Sequence, residues 1–110
     1  MGVNNISKLP YEKNVRERLQ LLVTKILAMC NPEAIILFGS YARFEHKVNS
    51  DLDILVITKR NVTRFKRAEL CADFETLGAD LIFYTEDAFQ DSKCLLVQQI
   101  RKDGILLWKQ

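Results

Sequence analysis

The sequence has few features that would assign it to an extreme class. No apolar run is long enough to span a bilayer, and residues 1–19 lack the unbroken apolar stretch of a signal peptide, which sets an expectation of a cytoplasmic protein with no membrane partner. Cysteine is scarce and odd in number: Cys30, Cys71 and Cys94 are far apart and embedded in apolar patterns. That arrangement favours buried thiols over a disulfide framework or a zinc site. Charge of one sign is also missing. The 16 Lys and Arg against 14 Asp and Glu leave a formal net charge of +2, no general drive toward nucleic acid or membrane. There are no internal repeats, low-complexity tracts or linkers, and 110 residues with 48% hydrophobic content suit one domain over residues 1–110 with a single core.

What is present is an alternation of helical and extended patterns. Val15, Leu19, Leu22, Val23, Ile26, Leu27 and Cys30 recur at threes and fours, predicting an amphipathic helix from Tyr11 to Cys30 that Asn31-Pro32 stops. Ala34 to Phe38 is a short β-branched and aromatic run that ends at Gly39-Ser40, a strand turning into a short helix from Ser40. After a polar loop from Phe44 to Ser50, Leu52 to Thr58 is a second strand. Phe65, Ala68, Leu70, Ala72 and Phe74 have helical spacing within residues 62–75, and Gly78 suits the turn before a third strand, Ala79 to Tyr84. Thr85 can cap a following helix whose first turn holds Glu86 and Asp87. A last helix over Ser92 to Lys102 precedes the apolar run Ile105 to Trp108, for which core packing is the default. The expected fold class is α/β (α+β), with helices packed on a small mixed sheet.

Chemistry concentrates in two short segments. In Ser50-Asp51-Leu52-Asp53 the alternation of a strand puts both carboxylates on one face, their Cα atoms roughly 7 Å apart. Two like charges at that distance repel by about 2 kcal/mol at an effective dielectric near 20, a cost with no folding reason. A divalent cation reverses its sign. Hard oxygen donors suit magnesium or manganese, and no Cys or His cluster competes for a softer metal. Upstream, Phe38-Gly39-Ser40-Tyr41-Ala42-Arg43 sets Gly and Ser where a strand becomes a helix, so backbone N–H groups, the serine hydroxyl and the helix dipole can converge on phosphate. Gly39 serving only the turn and Ser40 serving only as a cap remain alternatives. Asp80 opens the third strand and can lie beside the first two acids across the sheet.

These residues resemble a known family. Gly39-Ser40-Tyr41-Ala42-Arg43 followed by Ser50-Asp51-Leu52-Asp53-Ile54 is similar to the Gly-Ser…Asp-x-Asp signature of the DNA polymerase β-like nucleotidyltransferase superfamily, nearest to its minimal nucleotidyltransferase (MNT) branch. The resemblance runs from the first helix through Asp80 to Gly104-Ile105-Leu106-Leu107-Trp108. It implies that Gly39 and Ser40 contact the triphosphate, that Asp51, Asp53 and Asp80 are the catalytic acids and ligate Mg2+ as two ions (or Mn2+), and that Arg43 supports the phosphate loop or the neighbouring acids. Phe44 departs from the family, which usually has glycine after the arginine; the change bears on the loop's shape or on access to the site.

The resemblance further implies transfer of AMP from ATP, a nucleoside triphosphate, to a tyrosine of a HEPN-domain toxin encoded nearby, with this chain as antitoxin. Two other readings stand beside it: a nucleotide-binding module that neutralises its partner by contact, and an aminoglycoside-type small-molecule transferase whose acceptor cleft needs a homo-oligomer. His46 reads as a solvated loop histidine, or one that touches a phosphate or partner. Lys59, Arg60, Arg64, Lys66 and Arg67 read as a charged helix face, or as a guide for an NTP, RNA or an acidic protein toward the site; with no aromatic platform alternating with them, nucleic acid is a minority reading.

Overall fold

A computed structural model describes residues 6–110, so the first five residues of the amino-terminal stretch lie outside the described residues. The elements in order are α1 (Lys13–Met29), β1 (Pro32–Phe38), α2 (Gly39–Ala42), β2 (Leu52–Thr58), α3 (Arg64–Glu75), β3 (Ala79–Thr85), α4 (Glu86–Asp91), α5 (Leu95–Asp103) and β4 (Ile105–Lys109). The four strands form one mixed sheet in the order β3-β2-β1-β4. β1 runs antiparallel to both β2 and β4, whereas β2 and β3 are parallel, joined through α3. The terminal apolar run therefore becomes an edge strand, and Trp108 packs against the core.

Strand alternation divides the core into two layers. One face of the sheet carries Ile35, Leu37, Ile54, Val56 and Leu107 against Leu19 and Ile26 of α1 and Leu70 and Phe74 of α3. The other carries Ala34, Leu55 and Ile57 against Ile100 of α5 and Phe89 of α4. β2 is buried on both faces, which is why its sequence is a continuous apolar run after Asp53. Asp53 has the parity of Leu55 and Ile57 and so stands on the second face.

Two expectations need correction, and one helix buries less than its spacing allows. Cys71 and Cys94 are exposed and Cys30 half-buried, so apolar surroundings in sequence do not translate into buried thiols. In α3 only Leu70 and Phe74 are buried; Phe65 is 81% exposed, because the helix touches the sheet through its second half and leaves its first turn outside. Ser40 is not a cap: α2 begins at Gly39, with Phe38 in the capping position. The Thr85 cap is present, its hydroxyl accepting the Ala88 N–H at 3.2 Å. Among the described residues no helix is long and apolar enough to cross a membrane.

Candidate functional site

The ends of three adjacent strands bring the acids together. β2 and β3 pair in a register that sets Asp53 directly beside Asp80, and β1 pairs with β2 so that Phe38, the residue before Gly39, lies on the other side of Asp53. The turn before β3 fixes this register: Gly78 holds a left-handed φ of +70° and its carbonyl accepts the Leu52 N–H at 2.9 Å. Leu52 is fully buried, which pins the alternation and turns the carboxylate of Asp53 to the opposite face. Asp51 and Asp80 are exposed, and Asp53 is partly covered.

Asp53 is held in an unfavourable environment. Burial, then the charge of Asp80, then that of Asp51 push its carboxyl above the usual carboxylate range, with only Arg43 pulling the other way. Arg43 does not neutralise it by a direct pair; its Nε donates to Glu45 Oε2 at 3.3 Å. Asp80 in register with Asp53, and Asp51 just before β2, leave the Asp53 carboxyl under-neutralised, a setting that suits a hard cation, which takes one or two carboxylates and completes its shell with phosphate oxygens and water. Among the described residues no group of three or more His, Cys, Asp or Glu is drawn together as a ready-made metal cage. The arrangement is open, with Asp51 and Asp80 exposed.

Gly39 is required by this acid rather than by the turn alone. Its φ is +77°, and a Cβ there would overlap the Asp53 carboxylate, with Asp53 Cγ at 3.0 Å. The backbone at the start of α2 thus lies against the central carboxylate. Ser40, in the first turn of α2, is half-buried beside it. A cavity of about 180 Å³ opens next to Gly39 and Arg43 and is closed by Leu95, Leu96 and Gln99 of α5.

Side chains that no motif marks hold this loop. The buried Tyr11 hydroxyl donates to the Tyr41 carbonyl at 2.6 Å, tying α2 to the segment before α1. Burial, and secondarily Tyr41, push its phenol up to about 12. Phe44 adopts a left-handed φ of +58°, the conformation that explains why glycine is usual at this position; its ring stacks on Tyr11 with centroids 5.4 Å apart. His46 lies exposed in the loop, as a solvated loop histidine does, and its ring stacks on Tyr41 at 4.0 Å and 10°. The basic segment lies elsewhere. It follows the far end of β2, five residues beyond Asp53, roughly 16 Å away at strand rise.

Residues 22–110 match the family model described as polymerase beta, nucleotidyltransferase. The fold is similar to that of a structure of the tri-AMPylated HEPN toxin in complex with MNT antitoxin from Shewanella oneidensis, at 26% identity and a TM-score of 0.53, covering 84% of this chain and 73% of that one. It is also similar to a protein assigned as a nucleotidyltransferase from Sulfolobus solfataricus, at 25% identity and a TM-score of 0.59, covering 93% of each chain. A toxin-antitoxin structure with AMP-PNP shares the fold at 24% identity and a TM-score of 0.62, covering 90% of this chain and 75% of that one. No curated protein sequence matches the chain.

Proposed function

The chain belongs to the polymerase β nucleotidyltransferase family, and we propose that its site, built from Gly39, Ser40, Arg43, Asp51, Asp53 and Asp80 within a single domain spanning residues 1–110, transfers AMP from ATP to a tyrosine hydroxyl of a HEPN-domain partner in the cytoplasm. The observation that carries this reading is the pairing of Asp53 with Asp80 while the Gly39 backbone lies against the same carboxylate. Acids and phosphate-binding backbone meet there at one point.

In this reading the N–H groups at the start of α2 and the Ser40 hydroxyl bind the β- and γ-phosphates, and Arg43 balances the acids as the triphosphate enters. Asp51, Asp53 and Asp80 would hold Mg2+, which would supply positive charge to offset that of the phosphates. The tyrosine oxygen attacks the α-phosphorus. As that bond forms, the bond from the α-phosphorus to the bridging oxygen breaks and pyrophosphate leaves. The phenolic proton passes to a carboxylate of the site.

The acceptor comes from the partner. The likeness to the complex of tri-AMPylated HEPN toxin with MNT antitoxin supports a protein acceptor over an aminoglycoside. The test is neutralisation in cells. If the chain protects by transfer, the double substitution Asp51→Ala, Asp53→Ala abolishes protection while the two proteins are still recovered together. Full protection by the double variant would establish a contact-only antitoxin instead.

A further inference from the structure

The basic segment at the far end of β2 is not explained by the site above or by the fold. Arg64, Phe65, Lys66 and Arg67 are the first turn of α3, and all four are exposed. Cations at a helix N-terminus face the positive end of the macrodipole, an unfavourable placement, and this turn contains no acid to offset them. Phe65 is 81% exposed and belongs to neither layer of the core. A large aromatic left in water beside three cations contributes nothing to folding. The turn has the composition of a contact surface.

The surroundings give that surface its shape. On one side a cavity of about 440 Å³ is lined by Lys59, Arg60, Asn61, Lys66 and Asn31, with Glu33 supplying an acid that pairs with Lys59 at 4.0 Å. On the other a cavity of about 300 Å³ is lined by Asn61, Arg67, Phe83 and Tyr84, and Arg67 and Phe83 also border a third, of about 460 Å³, that includes Arg64. Shared lining residues join the three into one track, with cations along its whole length and the half-buried rings of Phe83 and Tyr84 over part of it, while Phe65 stands in the same helical turn as Arg64 and Arg67. Sequence order hides this, since Phe83 and Tyr84 come from β3.

We infer that this track binds a single strand of nucleic acid, with Lys59, Arg60, Arg64, Lys66 and Arg67 taking phosphates and Phe65 stacking on a base. Charge complementarity selects a polyanion, and the exposed ring of Phe65 selects bases over carboxylates, since every base offers a face to stack on. The proposal is independent of the nucleotidyl site. It makes the chain a bridge between a nucleic acid strand and the protein it modifies.

The test is fluorescence anisotropy of a labelled twelve-nucleotide oligouridylate with the full chain, in EDTA so that the acids contribute no metal-linked binding. Binding that weakens with salt is expected, with Phe65→Ala reducing affinity at least fivefold and Arg64→Ala, Arg67→Ala flattening the slope of log K against log salt by about 1.4. Circular dichroism checks that both variants fold. Absence of binding at low salt overturns the proposal. So does binding that the variants leave unchanged, or an equal, Phe65-independent affinity for polyglutamate, which marks an acidic protein as the occupant.

Discussion

Asp53 is the residue on which the site turns, and its environment has a consequence for stability as well as chemistry. Its folded proton affinity is raised, so its ionised form is a cost to the folded state. That cost is absent below the unfolded carboxyl pKa and fully present once pH exceeds the folded value. In metal-free buffer at neutral pH, Asp53→Asn is therefore expected to raise the melting temperature while abolishing nucleotidyl transfer; thermal melts at pH 7 and pH 4 check this, with the gain confined to the higher pH. Tyr11 works in the alkaline range. With a phenol pushed up to about 12 from a usual value of 10, the folded state loses stability as pH rises from 10 to 12, by up to about 3 kcal/mol. Tyr11→Phe is expected to cost about 1 kcal/mol at pH 8 through the lost bond to the Tyr41 carbonyl, and to show a shallower loss of stability between pH 10 and 12. Urea unfolding at the two pH values measures both effects.

Among elements, β2 and α3 show what sequence reveals and what it conceals. The span and burial of β2 are legible because a strand covered on both faces is a continuous apolar run, and Asp53 at its start is legible with them, whereas Asp51 falls just before the strand. The third acid is legible only as an acid at a strand start; its direct register with Asp53 depends on Gly78 and the α3 crossover, which are tertiary facts. In α3 the helical period holds but the burial it suggests does not. Period says which residues share a stripe, not how much of the stripe reaches the sheet, and so spacing does not reveal that Phe65 stays outside the core. Unfolding measurements separate the two cases: Leu55→Ala in β2 is expected to cost about 2–5 kcal/mol, and Phe65→Ala within about 0.5 kcal/mol. The hold of Tyr11 on α2 has no sequence signal, because a side chain bonding to a backbone carbonyl 30 residues away follows no spacing rule.

The whole molecule has chemistry at one end of its sheet and a basic surface at the other, with the core between them. At the first end, by the function proposed above, Gly39, Ser40 and the three aspartates transfer AMP to a protein acceptor. The most direct measurement is the intact mass of the HEPN-domain partner after incubation with the chain, ATP and Mg2+. A mass gain in whole AMP units, located on tyrosine, lost with EDTA and lost with Asp53→Ala, is the predicted result. A partner whose mass is unchanged by the wild-type chain, though the two proteins form a stable complex with ATP and Mg2+ present, would contradict it.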